Sequence, residues 1–508
     1  MQANSERGLK SLRSLALSLV LVTAIAVGIM KEPMAGLGLG ALALSTFALG
    51  LVASFPWACL GIFVIVAPWV LKDYEIELGA GIPNLNFERL GIYGITLIVF
   101  YSILTGRRDR LPFTLFDKAF AALIIAMMVS GVTMGHTPPQ TVRQVVNENV
   151  YPFLVYIGMK HLVTKPSQVR VIAIGLVFAS LFLALHAFSD QVLGLNVYDK
   201  QSRDSLVFAS QRGDLIGMHS LQENRASGPL GNSITLGISL VQGLVLGFLL
   251  LLTERTRWLK WLGGAATFFC GVGVLVTYTR SVYVGLLLCV PLLWLWYPRI
   301  RKAILGSVAS ATVGLLLYLP IVLANPENRM LNTGSLWERL GMWISSLYFI
   351  KASPVVGHGY GWETYAKLKT ESVLPQFDFI PTHYLLANST PHNEFLRMGV
   401  TMGLVGIILY TAFLWTMGRE LRQFNAELEA RNLTSMRIYV LAAACGMVAF
   451  YGQSIFTDMT AMAYADTVVF LFLGAVLGVY DNARRRGRQK AARQPGAISL
   501  EAPPSQGK

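Results

Sequence analysis

The chain has 508 residues, of which 54% are hydrophobic and only 14% charged, whereas soluble domains carry about 25% charged residues. This composition excludes an ordinary soluble enzyme and predicts an integral membrane protein, because the apolar residues lie in runs of about 17–22 that suit a helical span. The net charge of +14 does not indicate a nucleic-acid partner, since Lys and Arg collect at the cytoplasmic ends of membrane helices.

The apolar runs predict an all-α polytopic membrane protein with about 12–14 transmembrane helices. A β-barrel is excluded because barrel strands alternate apolar and polar residues, and the run at 171–185 does not alternate. The count keeps this range because the run at 57–71 is short and the run at 149–164 contains Pro152. In chain order the predicted spans are 12–30, 36–53, 57–71, 89–105, 114–132, 149–164, 168–188, 231–252, 260–279, 282–298, 303–323, 393–417, 436–457 and 463–480.

Most of the 42 Lys and Arg residues fall in alternate joints, which predicts that both termini are cytoplasmic. Of the segments on the opposite side, 324–392 is the longest. It is rich in aromatic residues, and apolar residues recur at helical spacing between 336 and 347, so it should form a cap with an amphipathic helix. The predicted organisation is a transmembrane bundle at 1–323, the large periplasmic loop at 324–392, transmembrane helices at 393–483 and a disordered basic cytoplasmic tail at 484–508.

The predicted spans hold little charge at mid-bilayer depth, since Lys118, Lys160 and Arg397 lie near helix ends. Ion-coupled transporters and proton pumps usually need ionisable residues along a transmembrane path. The pattern therefore argues against a transporter and directs attention to the outer ends of the helices.

Four residues at predicted outer helix ends could carry chemistry: Arg225, Arg280, Arg339 and His392. A guanidinium group donates two parallel hydrogen bonds to phosphate oxygens and stays charged at physiological pH. Helix N-termini after Gly231 and Asn393 would add N–H groups for the same anion. A histidine can take the proton of an attacking hydroxyl near neutral pH. Together these residues describe group transfer from a diphosphate leaving group.

Each of these residues also has a structural interpretation. Arg280 in a tight turn is typical of an interfacial anchor, and Arg339 on a surface helix is typical of a headgroup contact or a partner of Glu338. His392 could pack under the loop at the start of a helix, and two other histidines share that loop. Asp458 could simply cap the helix that follows it. Residue chemistry alone leaves both interpretations open.

Five segments carry a resemblance to a known family: Arg-Ala-Ser-Gly-Pro-Leu-Gly-Asn (225–232), Tyr-Thr-Arg-Ser (278–281), Glu-Arg-Leu-Gly-Met-Trp (338–343), Val-Gly-His-Gly-Tyr-Gly (356–361) and Pro-His-Asn-Glu-Phe-Leu (391–396). In their order and common outer location they resemble the O-antigen ligase and O-antigen polymerase superfamily, over roughly residues 220–410. The resemblance implies a metal-independent glycosyltransferase without cofactors, integral to the bacterial inner membrane, with a periplasmic active site.

The resemblance also implies partners and roles. The donor would be a glycan linked through diphosphate to undecaprenol, and the acceptor a sugar hydroxyl on lipid A-core or on another glycan, at a site bordered by membrane lipids. Arg225, Arg280 and Arg339 would hold the diphosphate, while His392 would orient or deprotonate the acceptor hydroxyl. Candidate supporting residues are Asn232, Glu338, Asn393 and Asp458.

One acidic segment departs from the metal-independent scheme. Asp73-Tyr74-Glu75 follows the third predicted span, where oligosaccharyltransferase-type enzymes of the same broad class carry metal-binding acids. We interpret it as a solvated acidic loop, and the sequence lacks the Asp-x-Asp pair of metal-bound nucleotide-sugar chemistry. If Asp73 and Glu75 do bind a divalent cation, chelation should abolish activity.

Two functions fit nearly the same residues. One is ligation of a lipid-linked polysaccharide to lipid A-core, and the other is polymerisation of lipid-linked repeat units for O-antigen or an exopolysaccharide. Ligation comes first, because the set of three arginines and His392 looks more like ligases. Protein O-oligosaccharyl transfer stays open, and a polysaccharide or lipid transporter is the interpretation that the clean spans oppose.

Overall fold

The structure is a computed structural model, and it describes residues 55–66, 87–105, 111–192, 226, 228–230, 232–324, 334–371, 385, 390–457 and 463–493. Throughout these residues the chain forms helices and connections, without a strand. Seven of the described helices are long and apolar enough to cross a membrane, or eight if the bent pair Arg280–Trp296 and Pro298–Gly314 is one span. The prediction of an all-α polytopic membrane protein is confirmed. The predicted spans at 12–30 and 36–53 lie outside the described residues, so the total of 12–14 stays a prediction.

The helices of the described chain correspond to the predicted spans from 57 onward, and they add one helix at Pro138–Val145 and two helices in the large loop. In order they are α1 Pro56–Val66, α2 Phe87–Leu104, α3 Leu115–Met134, α4 Pro138–Val145, α5 Tyr151–Leu162, α6 Pro166–Val192, α7 Ser233–Thr253, α8 Arg257–Val276, α9 Arg280–Trp296, α10 Arg301–Ala324, α11 Gly334–Ala352, α12 Trp362–Glu371, α13 Glu394–Ala430, α14 Thr434–Gly452 and α15 Ala463–Arg493. The amphipathic helix predicted between 336 and 347 is α11.

Polar caps begin several helices where Thr or Asn precedes an apolar run. At α3, Asp117 Oδ2 accepts the Thr114 N–H at 2.7 Å, and Thr114 Oγ1 accepts the Asp117 N–H at 3.3 Å. Asn232 caps α7 by accepting a backbone N–H at 2.8 Å, and Asn393 caps α13 in the same way at 3.1 Å. Each cap satisfies donors that a helix N-terminus otherwise leaves unpaired.

A widened turn at Val146–Val150 joins α4 to α5 without breaking the helix. Pro152 follows it and has no N–H to donate, so the regular ladder cannot continue there and the turn widens by one residue. Glu148 and Asn149 lie on this turn, and both line an interior cavity. The proline noted in the predicted span at 149–164 therefore shapes the interior of the bundle.

A buried ion cluster joins three helices. Lys160 on α5 lies 2.6 Å from Asp117 of α3 and 3.0 Å from Asp481 of α15, and only 1% of its surface is exposed. The Tyr156 hydroxyl donates to the second oxygen of Asp117 at 2.6 Å. Because a buried charge is tolerated only when it is paired, these contacts fix α3, α5 and α15 against one another.

The C-terminal tail starts later than predicted. The composition predicts disorder from Arg484, but α15 continues to Arg493. Arg, Gln, Lys and Ala are good helix formers, and Arg484 pairs with Glu427 at 3.0 Å while its guanidinium lies over the Tyr480 ring. Local propensity and these contacts extend the helix.

We expect Lys160→Met to destabilise the protein by about 3–5 kcal/mol, because it leaves two buried carboxylates without a cation. Lys118→Met is the control, since Lys118 is exposed on α3 beside Asp117. Thermal unfolding of the purified protein in detergent should give a markedly lower Tm for Lys160→Met alone. Equal Tm values for the two variants would contradict a structural role for the cluster.

Candidate functional site

Helix α13 is broken at Gly403, whose φ of 63° and ψ of −152° are not helical. This conformation is essentially restricted to glycine. At the break the helix exchanges hydrogen bonds with the loop that precedes α12. The His358 and Gly359 N–H groups donate to the carbonyls of Val400 and Thr401, both at 2.9 Å. The freed backbone of α13 is thus satisfied inside the protein, as a broken helix requires at membrane depth.

The exchange is completed in the opposite direction. The Leu404 N–H donates to the Pro354 carbonyl at 2.8 Å, and the Val405 N–H donates to the Val355 carbonyl at 3.3 Å. In an intact helix these same N–H groups would have reached residues 400 and 401. We call residues 353–361 the strap, since this segment supplies four hydrogen bonds to the broken helix there.

The strap is also fixed to the opposite wall of the bundle. The Tyr360 N–H donates to Ser130 Oγ at 3.2 Å, and Thr141 Oγ1 donates to the Tyr360 carbonyl at 3.2 Å. Gly359 has a φ of 96°, and a Cβ there would lie 2.5 Å from the carbonyl of Met134. The Val-Gly-His-Gly-Tyr-Gly motif is therefore a tightly packed backbone segment between α3, α4 and α13.

His358 serves this segment structurally. Its backbone donates to α13, and its ring Nε2 lies 2.9 Å from the Phe349 carbonyl, so the imidazole donates to the end of α11. This arrangement uses the ring within the fold.

Tyr360, Arg397 and Glu394 form a stack beneath the first turn of α13. The guanidinium of Arg397 lies 5.1 Å from the Tyr360 ring centroid and donates to both carboxylate oxygens of Glu394, one of them at 3.0 Å. Tyr360 is fully buried, and burial raises the pKa of its hydroxyl, which keeps the ring neutral. The strap thus positions the arginine that pairs with the start of α13.

Two small cavities share Arg397 as a wall. The first, here the acidic cavity, measures about 30 Å³, and its polar lining is Glu148, Asn149, Glu394, Arg397, Tyr410, Tyr451 and Asp466. The second, here the Pro391 cavity, measures about 10 Å³ and is lined by Gln144, Gly361, Tyr365, Thr390, Pro391, Arg397, Val400 and Thr401. Each accepts one or a few water-sized groups.

His392 directly follows Pro391, which lines the second cavity, and it has a strained backbone conformation. Its φ is 46°, a left-handed value that costs a non-glycine residue about 1–3 kcal/mol. Tyr278, two residues before Arg280, has the same φ of 46°. Both residues fall in motifs that the sequence singled out. The third non-glycine residue with a positive φ among the described residues is Asn432, and asparagine tolerates this conformation. Such strain clusters at functional sites, so it is a physical signal for these two turns.

The predicted site residues are distributed as follows. Arg280 is the first residue of α9 and is partly buried, and Arg339 and Glu338 are partly buried on α11. Asn232 and Asn393 are the caps of α7 and α13. Arg225, Asp458, Asp73 and Glu75 lie outside the described residues. Ala226 is described: its N–H donates to the Val276 carbonyl at 3.4 Å, which places Ala226 at the turn before Arg280.

The starts of α9 and α13 both lie near the C-terminal end of α14. Gly285 of α9 packs on Ala449, where a Cβ would lie 2.7 Å from the carbonyl. Tyr451 lines the acidic cavity together with Glu394. The end of α14 is therefore close to the start of α9, which carries Arg280. It is also close to the start of α13, which follows His392. Helix α11, with Arg339, packs on α13 through Ile350 and Gly399.

Sequence reasoning missed the charged residues of the acidic cavity. Arg397 was noted only as a charge near a helix end, and Glu148 and Asp466 were not considered. Asp466 is 8% exposed, and its Oδ1 has no hydrogen-bond partner among the described residues. The available signal was the position of Asp466 inside the predicted span at 463–480, because an ionisable residue within a span marks a functional site by default.

Across the described segments, no group of three His, Cys, Asp or Glu side chains could hold a metal ion. The acidic segment at 73–75 lies outside them, so its interpretation as a solvated loop stays a prediction.

Lys369 is a buried cation in the cap, on α12. It is 7% exposed, and its ammonium lies 5.0 Å from the Tyr365 ring centroid. Burial lowers the pKa of Lys369 from 10.5 to about 8. The folded cap therefore holds this proton less tightly than the unfolded chain does.

Comparison with known proteins gives one family. The family described as O-antigen ligase matches residues 265–411, and this range contains the turn at Arg280, helix α11, the strap and the first half of α13. The match confirms the resemblance drawn from the motifs. No curated protein matches the chain significantly.

We expect Gly403→Ala to destabilise the protein by roughly 2–4 kcal/mol, because a side chain there adds backbone strain to overpacking. Its Cβ would lie 2.4 Å from the Val355 carbonyl. Gly418→Ala is the matched control on the same helix, since nothing lies within 4 Å of its added Cβ. Thermal unfolding should show a loss of Tm for Gly403→Ala and no loss for the control. Equal Tm values would contradict the tight strap.

We expect the stability of the cap to rise between about pH 8 and 10.5, because in this window the unfolded chain binds a Lys369 proton that the folded chain has lost. Lys369→Met should raise the free energy of unfolding at pH 7 by up to about 3 kcal/mol, and the Tm should rise with it. This gain should shrink above pH 9. Lys367→Met, an exposed neighbour on α12, should change neither. A gain independent of pH would contradict the assignment.

Proposed function

From the O-antigen ligase match at residues 265–411, we propose that the protein is a membrane glycosyltransferase that ligates a polysaccharide to a sugar hydroxyl of lipid A-core. The donor is a glycan carried on undecaprenyl diphosphate. The enzyme lies in the bacterial inner membrane with both termini cytoplasmic and its site on the periplasmic side. Support comes from the match, which includes Arg280, Arg339 and His392, and from the apolar helices.

The observation that carries the proposal is the left-handed backbone at both Tyr278 and His392. The fold accepts a costly conformation at the two turns that present the candidate anion-binding arginine and the candidate base. A purely structural anchor or helix cap would not need this conformation, since most helices begin with extended backbone before the first turn.

In the proposed reaction, the acceptor oxygen forms a bond to the anomeric carbon while the bond from that carbon to the diphosphate oxygen breaks. Undecaprenyl diphosphate leaves with the bonding electron pair. Arg280, at the N-terminus of α9, stabilises the developing charge together with the helix N–H groups, and Arg225 and Arg339 add further cationic contacts. His392 takes the proton of the acceptor hydroxyl. This scheme uses no metal ion.

We expect His392→Ala to lower transfer by roughly 100-fold or more, because the acceptor hydroxyl loses its base. Arg280→Ala should lower transfer by a similar factor, because the leaving group loses its positively charged partner. The controls are His136→Ala, an exposed histidine in the turn after α3, and Arg299→Ala beyond the other end of α9. The measurement is complementation of a deletion strain, with lipopolysaccharide and lipid-linked glycans analysed on gels.

The same experiment separates ligation from polymerisation. Loss of a ligase leaves lipid A-core bare while long chains accumulate on undecaprenyl diphosphate. If only single repeat units remain on the carrier, the protein is a polymerase with the same site. If His392→Ala complements like wild type, the catalytic assignment is wrong under either function.

A further inference from the structure

One turn of the strap is apolar and uncovered. It consists of Pro354, Val355 and Val356, and all three are exposed, Val355 by 59% and Val356 by 49%. Besides proline, turns that meet water favour Gly, Asn, Asp and Ser. Clustered apolar residues at a surface mark a contact with protein or membrane. The composition of this turn therefore indicates an apolar partner.

The backbone carbonyls of the turn are satisfied without water. Those of Pro354 and Val355 accept N–H groups of α13 just beyond its break, at 2.8 and 3.3 Å. The Ser353 carbonyl accepts the Gly357 N–H at 3.2 Å. Backbone at membrane depth is tolerated only when its polar groups are paired within the protein. These three carbonyls meet that condition, whereas carbonyls of a water-exposed loop can bond to solvent instead.

The turn is continuous with an exposed apolar face of α13. On this face Leu404, Val405 and Ile408 are 54%, 43% and 56% exposed. Helix α13 is long and apolar enough to cross a membrane, so an exposed apolar face on it meets lipid. Because Val355 accepts the Val405 N–H, the turn and this face form one surface.

The depth of the turn follows from the other end of that face. Trp415 is 59% exposed, and the Arg419 guanidinium lies 5.4 Å from its ring centroid. Such a pair is typical of the membrane–water interface. Val405 and Arg419 are 14 positions apart on α13, about 21 Å along the helix, while the hydrocarbon core is about 30 Å thick. The turn therefore lies at hydrocarbon depth, in the leaflet nearer to His392.

The nearest exposed charge on the same segment agrees with this depth. Lys351 is exposed in the last turn of α11, four positions before Val355. A lysine at the boundary keeps its stem in apolar surroundings and extends its ammonium to the headgroups. The chain thus passes from the interface at Lys351 into the apolar turn.

We propose that residues 354–356 form a re-entrant turn inserted in the membrane, with Val355 and Val356 against the acyl chains of the leaflet nearer to His392. The partner is bilayer lipid. In this position the turn pairs the freed N–H groups of α13 and shields the break at Gly403 from hydrocarbon, where unpaired groups would be costly. This membrane contact does not depend on the reaction that the protein catalyses.

The test is electron paramagnetic resonance of a nitroxide attached at Val356→Cys, in the full chain reconstituted in nanodiscs of phosphatidylethanolamine and phosphatidylglycerol. Collision rates are measured with oxygen, which concentrates in hydrocarbon, and with a neutral polar nickel chelate, which stays in water. Ile408→Cys is the lipid reference on α13, and Glu371→Cys, exposed at the end of α12, is the water reference. Wild type measures the background, since three of its four cysteines are buried.

The nickel collision rate at position 356 should be roughly tenfold below that at position 371, because hydrocarbon excludes a polar solute. The oxygen rate should match that at position 408. A nickel rate equal to that at position 371 would place the turn in water and overturn the proposal. Low rates with both agents would show that protein, such as a second copy of the chain, covers the turn, which also overturns it.

A second arm uses wild type, so it stands even if Val356→Cys does not fold. A phospholipid with a diazirine in its acyl chain is added to the same nanodiscs, and photo-crosslinks are mapped by mass spectrometry. Crosslinks in both 354–356 and 404–408 support the insertion. Crosslinks in 404–408 without any in 354–356 would overturn it. Neither arm requires glycan transfer, so failure of the proposed function leaves this test intact.

Discussion

The candidate site depends on the exchange of two hydrogen bonds at the break in α13. Two N–H groups and two carbonyls that would pair within the helix pair with the strap instead. Unsatisfied backbone groups cost several kcal/mol away from water, so the break requires the strap. This mutual dependence links both sides of the break in α13, at residues 400–401 and 404–405, to the strap.

Buried charge is the second constraint on the bundle, and the two buried cations Lys160 and Arg397 are paired in different surroundings. Lys160 is fully enclosed by two carboxylates and a tyrosine, which suits a structural junction. Arg397 is paired with Glu394 and stacked on Tyr360, yet it borders cavities on two sides. Arg397 lies within the matched segment at residues 265–411, and its place between two cavities distinguishes it from the closed junction at Lys160.

Pattern reasoning succeeded where chemistry is local in the chain. Asn232 and Asn393 cap helices because a cap bonds to backbone two or three residues ahead. Reasoning failed where partners are distant in sequence. His358 and His392 share a loop in the sequence. Only the tertiary structure shows that the His358 ring donates to the Phe349 carbonyl. Composition also misled the prediction at Arg484–Arg493. These residues were interpreted as disordered, but they continue helix α15.

The sequence by itself determined that this is an all-α membrane protein with a resemblance to O-antigen ligases, because apolar run length and short motifs are properties of neighbouring residues. It also predicted a candidate chemistry, with arginines for an anion and a histidine for a proton. Only the tertiary structure decided that Gln144, Glu148, Arg397 and Asp466 line two cavities that share Arg397. These residues come from three separate segments, and their meeting depends on packing that no local pattern encodes.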